Sequence, residues 1–134
     1  MQITFNLPHV FFPGSPRDED AVALKALLEC LIQLNLEFLR DHSVIALYES
    51  RVVYARTEIW DTIPALYARG YGDCKSLTAC LIAEYRSKGK PCRPVFRWYD
   101  GPNGSKNFHI LVQTQNGFED PSKNRGMGQH ENQR

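Results

Sequence analysis

The most regular patterning of apolar positions runs from Leu24 to Leu39. Leu24, Leu28, Leu31, Asn35 and Phe38 fall three or four residues apart, and Leu27, Leu34 and Leu39 widen the stripe. That spacing predicts a helix with one face against a core. Ser15-Pro16-Arg17-Asp18 has the form of its start, with Ser at the cap, Pro at the first helical position and an acid at the third. The helix is expected to run to about Arg40. Cys30 lies on it and reads as a small buried hydrophobe.

Upstream, QITFNL alternates polar and apolar residues before Pro8 and suggests a short edge strand. The segment from Ser43 to Arg69 is less regular. VIALYESRVVY fits either a strand or a helix continuation, whereas TEIWDTIPALYARG predicts a short helix with Pro64 near its start and Asp61 or Thr62 as cap. Gly70 would end it, and Gly70-Tyr71-Gly72-Asp73 then lets the chain turn sharply. From Cys74 onward Leu77, Leu81 and Tyr85 recur at helical spacing, and Gly89 with Pro91 marks the stop. This helix should be mostly buried.

Two strands are expected next, Pro94 to Tyr99 and Phe108 to Gln113, joined by a Gly/Pro/Asn-rich loop from Asp100 to Lys106. Asn116-Gly117 marks a hairpin. Phe108, Ile110 and Val112 share one face and His109 and Leu111 the other, which predicts a sheet with helices on both sides. The chain would form one domain over residues 1–127. Residues 128–134, with almost nothing to bury, would be a frayed tail.

Composition narrows the function more than the fold. The 134 residues are 43% apolar and 23% charged, and sixteen basic against fifteen acidic side chains leave a formal charge of +1. Such a chain folds, and it has no long-range field to gather a polyanion, so nucleic acid is not the expected partner. No stretch approaches the ~20 apolar residues of a membrane span, and the N-terminus lacks the features of a signal peptide. A soluble cytoplasmic protein without a membrane partner is expected. Cys30, Cys74, Cys80 and Cys92 then read as thiols. They form no C-x2-C or C-x4-C pair, and His9, His42, His109 and His130 form no H-x3-H or H-x4-H set, so neither a metal nor another cofactor is expected.

Chemistry concentrates on Cys74. The N-terminal end of a helix stabilises a thiolate through its partial positive charge and unpaired N–H groups. Lys75 would add to this and Asp73 would oppose it. The bland alternative is an unreactive buried Cys at a cap position. A nucleophilic thiol needs an imidazole, and His109, on a strand, is the best-placed candidate: His9 lies near an edge, His42 ends a helix and His130 is in the tail. Taken alone it would more often be a core histidine.

A third group must hold the ring, and Asp120 follows across the hairpin. A two-residue turn at Asn116-Gly117 would set Gln113 opposite Asp120 and Asn124 opposite His109, too far for an Asp120 contact. A wider loop from Thr114 to Gly117 would set Leu111 opposite Asp120 and leave His109 at the diagonal position, within reach. Asn124 is the substitute if that fails, although Pro121 argues against a strand continuing to it.

At this point a family resemblance enters. Trp60 with Ile63-Pro64, then Gly70-Tyr71-Gly72-Asp73-Cys74-Lys75-Ser76-Leu77, Gly89-Lys90-Pro91-Cys92-Arg93-Pro94-Val95, Phe108-His109-Ile110-Leu111-Val112 and Asp120-Pro121-Ser122 resemble the successive motifs of transglutaminase-like cysteine enzymes. The likeness extends from about Tyr48 to Met127. It implies an α+β fold with a papain-like core, in which a buried central helix opening at Cys74 packs on a small antiparallel sheet. It also implies a catalytic triad of Cys74, His109 and Asp120, and an oxyanion-stabilising or substrate-binding side chain upstream of the nucleophile, for which Trp60 is the candidate. Trp60 could equally be a core tryptophan. The interval from His109 to Asp120 is short for the family. The small stand-alone form looks similar to modules encoded by bacteriophages, whose setting would be the host cytoplasm.

The activity so implied is acyl transfer on an amide of a protein or peptide, with hydrolysis by a peptidase or deamidase favoured over cross-linking, because so short a chain spares few residues for an amine-binding wall. A catalytically silent protein-binding or virion-assembly module with the same fold is the competing reading. Arg86, Lys88, Lys90, Arg93 and Arg97 with Trp98 and Tyr99 form a basic, aromatic-laced run, read here as a solvated helix end and strand.

Overall fold

The computed structural model describes residues 16–101 and 106–129. The predicted strand at residues 2–7, the cap at Ser15, part of the loop before the second hairpin strand and the last five residues of the predicted tail lie outside them.

Helix α1 spans Pro16–Asp41. Its buried stripe is Leu28, Leu31, Ile32 and Asn35, flanked by half-buried Leu39. Leu34, expected on that face, is 51% exposed, and Ile32 takes its place. Cys30 is exposed rather than buried. It lies two residues from Leu28, about 200° round the helix axis, and so points away from the core.

A single 3-10 turn at Leu47–Glu49 leads to strand β1, Val53–Tyr54. Helix α2, Ile63–Arg69, starts after Thr62, which makes no side-chain cap, and ends at Gly70 in the left-handed conformation, φ 85°. Asp61, the other candidate cap, instead pairs with Arg69 at 2.7 Å across the helix. Strand β2, Tyr71–Gly72, lies parallel to β1, with Val53 opposite Tyr71 and Tyr54 opposite Gly72.

Helix α3, Cys74–Ser87, is the centre of the fold, and every residue from Cys74 to Glu84 is buried. One side packs on α1 and the other on an antiparallel sheet of order β3-β4-β5, formed by Cys92–Asp100, Lys106–Thr114 and Gly117–Glu119. Pro94 sits inside β3, where it pairs with Val112, and is tolerated because β3 is an edge strand. Ile110 and Val112 enter the core at 0% exposure alongside Leu77, Leu81 and Ile82. This is the mixed α+β architecture expected, with a buried central helix on a small sheet.

Two details differ from expectation. Arg93, Arg97, Tyr99 and Phe118 on the outer side of the sheet are exposed, so among the described residues α3 covers one face and no helix covers the other. The hairpin turn is tight and displaced by one residue: Thr114 pairs with Gly117 across Gln115 and Asn116, and Val112 pairs with Glu119. Thr114 Oγ1 accepts from the Asn116 N–H and donates to the Gly117 carbonyl, both at 3.1 Å, which fixes the turn there. The resulting register is the one that sets Leu111 against Asp120, reached without a wider loop. A four-residue helix α4, Pro121–Asn124, follows.

Candidate active site

Helix α3 begins at Cys74 because of the residues before it. A Cβ on Gly72 would lie 2.7 Å from Leu66 Cδ1 and 3.1 Å from Ser76 Cβ, so only glycine lets the chain pass this close to α2 and turn into the helix. Asp73 is extended and caps the helix, its Oδ1 accepting from the Lys75 N–H at 3.1 Å. Cys74 is thereby the first helical residue, 8% exposed.

Strand β4 meets this helix at Ile110. Because β5 pairs only with residues from Val112 to Thr114, the edge of β4 beyond it has no partner strand among the described residues. The backbone of Ile110 serves α3 instead. Thr78 Oγ1 donates to its carbonyl at 3.4 Å, and its N–H is close enough to the Cys74 thiol to favour the thiolate. Cys74 and Thr78 are one turn apart and share a helix face, so the two contacts lay the start of α3 along this edge. His109 is the next residue along the strand and, by alternation, turns to the face opposite Ile110.

His109 Nε2 lies 2.9 Å from Asp120 Oδ2. Asp120 is not a strand residue: β5 stops at Glu119, and Asp120 caps α4, its Oδ1 accepting from the Lys123 N–H at 3.2 Å. One oxygen holds the cap and the other the ring, so the carboxylate cannot rotate without losing a partner. With Nε2 committed to Asp120, Nδ1 is the ring nitrogen that this contact leaves unused. Asn124, the alternative orienter, donates to the Tyr48 hydroxyl at 3.0 Å and serves a different contact.

Burial pushes the Cys74 thiol up to about 11, Asp73 and Asp120 acting in the same direction against the Ile110 N–H and Lys75. Lys75 activates less than expected because its ammonium is ion-paired with Asp73 and donates to the Thr57 carbonyl at 3.2 Å. The resting group is a neutral thiol. A thiol raised this far can react as a nucleophile only where an adjacent base takes its proton.

Trp60 is half-buried against the core. The Asp61 N–H donates to Ser76 Oγ at 2.9 Å, which ties the Trp60 segment to the first turn of α3. The Trp60 ring has Lys75 Nζ 5.8 Å from its centroid. Its observed contact is thus with the residue after Cys74.

Residues that the sequence left unmarked hold Asp120 in place. Glu119 shares the core face with Val112 and accepts from the Tyr85 hydroxyl at 2.8 Å and the Tyr48 hydroxyl at 2.5 Å. Arg125 donates to the carbonyls of Tyr48, Ser50 and Val52 at 3.1, 2.9 and 2.7 Å. One signal was available: alternation along β5 points Glu119 inward, and an inward carboxylate demands partners.

The basic run is dispersed. Arg86 bonds Glu29 and the Cys92 carbonyl, Lys90 lies over the Tyr85 ring, and Trp98 packs with Phe96 and Phe108. Among the described residues no group of three or more His, Cys, Asp and Glu side chains is arranged to hold a metal ion, and no helix is long and apolar enough to cross a membrane.

A cysteine opening a buried helix, set against a strand whose histidine is held by a carboxylate, defines the class of papain-like cysteine folds. The sequence profile of the transglutaminase-like superfamily matches residues 39–120, more than half the chain, and the protein belongs to that superfamily. No curated protein and no solved structure matches the chain.

Proposed function

We propose that the protein is a cysteine-dependent amide hydrolase acting on a protein or peptide, with Cys74 as nucleophile, His109 as general base and acid, and Asp120 as the group that orients His109. What supports this reading is the Asp120–His109 hydrogen bond of 2.9 Å, on the strand position next to Ile110, whose backbone N–H favours the Cys74 thiolate.

Cys74 Sγ attacks the carbonyl carbon as His109 Nδ1 takes the thiol proton. The negative charge on the oxygen is met by N–H groups at the start of α3, with Trp60 as the upstream candidate side chain. Collapse breaks the C–N bond, and His109 gives its proton to the leaving nitrogen. Water then attacks the acyl thioester, His109 takes one of its protons, and Sγ leaves as the acid forms. A primary amine in place of water would give transamidation.

The test is alkylation by iodoacetamide at pH 7, followed residue by residue by mass spectrometry. Cys30, exposed on α1, is the internal reference. We expect His109→Ala to slow labelling of Cys74 at least about tenfold while Cys30 labels as before, because a thiol raised to about 11 has little thiolate of its own at that pH. Unchanged Cys74 labelling in a folded His109→Ala domain would refute the base assignment. Ammonia release, peptide cleavage and incorporation of a fluorescent primary amine then separate deamidation, proteolysis and cross-linking.

A further inference from the structure

The sheet face turned away from α3 carries a cationic strip that begins beside His109. Arg97 pairs directly with His109 across β3 and β4, which puts the two side chains on one face with Cβ atoms about 5 Å apart. Its guanidinium lies 4.9 Å from the centroid of Phe118 on β5, so the side chain crosses the whole width of β4. Leu111, on the same face by alternation, is 6% exposed and stands outside the core cluster. Phe118 itself is 57% exposed.

Stacking fixes the plane of a guanidinium without consuming its N–H donors, which lie in that plane and match a carboxylate fork to fork. Arg93, four residues earlier and so about 13 Å away along the strand, shares the face. Its Nε donates to Gln113 Oε1 at 2.7 Å, which orients it and leaves the terminal nitrogens. Among the described residues neither Arg93 nor Arg97 is ion-paired with a carboxylate. Among the described residues the acid on this side is Asp120, which is taken by His109 and the Lys123 N–H. In a chain of net charge +1, two oriented guanidinium groups that face no acid among the described residues, next to the proposed base, are a local excess of positive charge.

We propose that this strip is a substrate subsite for acidic polypeptide, with Arg97 taking a Glu or Asp side chain close to the reacting amide and Arg93 a second one farther along. This rests on the acyl-transfer reading above and adds to it the substrate class. Position favours polypeptide over a nucleic acid, because the strip borders the residues assigned to amide chemistry and the aromatic face of Phe118 is already covered by Arg97.

The experiment uses the Cys74→Ala protein, which binds without turnover, and three fluorescent probes: an acetylated decapeptide with one glutamine flanked by glutamates, the same peptide with serines, and a twelve-residue oligo-dT. Anisotropy titration at low and high salt is expected to show the glutamate peptide binding at least about tenfold tighter than the serine peptide. Arg97→Gln should remove most of that difference, Arg97→Lys should restore part of it, and Arg93→Gln should have a smaller effect. Equal binding of the two peptides, or a preference untouched by Arg97→Gln in a protein whose circular dichroism is unchanged, overturns the proposal. Arg97-dependent binding of oligo-dT alone replaces it with a nucleic-acid surface. In the wild-type protein the ratio of KM values for the serine and glutamate peptides should exceed tenfold and collapse toward one in Arg97→Gln. Absence of turnover on any peptide would refute the acyl-transfer reading, whereas the titration decides the strip independently.

Discussion

Cys74 and the Asp120 corner are held in opposite ways. At the start of α3 the controls are local: Gly72 has room only for hydrogen, Asp73 caps the residue two positions on, and the Lys75 ammonium pairs with Asp73. At the corner between β5 and α4 they are remote: Tyr48 and Arg125 tie Glu119 and the segment after α4 to the loop between the 3-10 turn and β1, more than seventy residues apart in sequence. A helix start fixes a side chain through neighbours in the chain. A corner at the rim of a sheet has few such neighbours and depends on long-range hydrogen bonds.

The comparison can be broken first at its functional end. Asp120→Ala should lower amide turnover by about a thousandfold or more, since the imidazole loses its orientation. The loss of the α4 cap should cost only about 1 kcal/mol in urea denaturation. Asp120→Asn keeps a capping oxygen and an acceptor for Nε2, and should retain more activity than Asp120→Ala. Equal losses would show that charge rather than orientation matters.

Arg125→Ala strikes the remote clamp, removing donors to three carbonyls, and should destabilise the domain by about 3 kcal/mol. If the local controls are independent, Cys74 labelling in the folded fraction should change less than in Asp120→Ala.

Alkaline titration sharpens the contrast, because the two regions ionise in different windows. The Cys74 thiol ionises near ~8.5 in the unfolded chain and near about 11 in the folded one, so stability is lost as pH rises between those values, by about 3 kcal/mol from this group. Burial and Glu119 raise Tyr48 and Tyr85 at the corner, so their contribution is lost only above their unfolded value of about 10. Cys74→Ser should flatten the first part of the stability-against-pH curve, and Tyr85→Phe the later part. Asp73→Ala removes the cap, about 1 kcal/mol, and also leaves the buried Lys75 ammonium without its partner, so the loss should exceed the cap alone, while the Cys74 thiol loses the neighbouring charge that raises it.

Much of this was legible in the chain. The helix start at Cys74, the left-handed stop at Gly70 and the two long strands follow from rules spanning only a few residues, and each is found with small shifts of boundary. The stripe on α1 was legible in outline, yet Leu34 and Ile32 exchange roles, because a leucine-rich helix offers several apolar faces and only the packing of α3 selects one. The hairpin register was reached through the wrong turn. Asn116-Gly117 carries the strong turn signal, but the Thr114 hydroxyl closes the turn one residue earlier.

The sequence by itself determined that Cys74 would open a buried helix and that His109 would lie on a strand, because caps, breakers and periodicity act over one or two turns of chain. Only the tertiary structure decided that Ile110 would turn its backbone to the thiol, that Asp120 would leave the strand to cap α4 and still reach the ring, and that Lys75 would neutralise Asp73. Each of these depends on where a strand ends, on which partner a buried charge finds, or on contacts between residues distant in sequence. Such choices are settled by the whole core packing at once, and no short window of residues contains them.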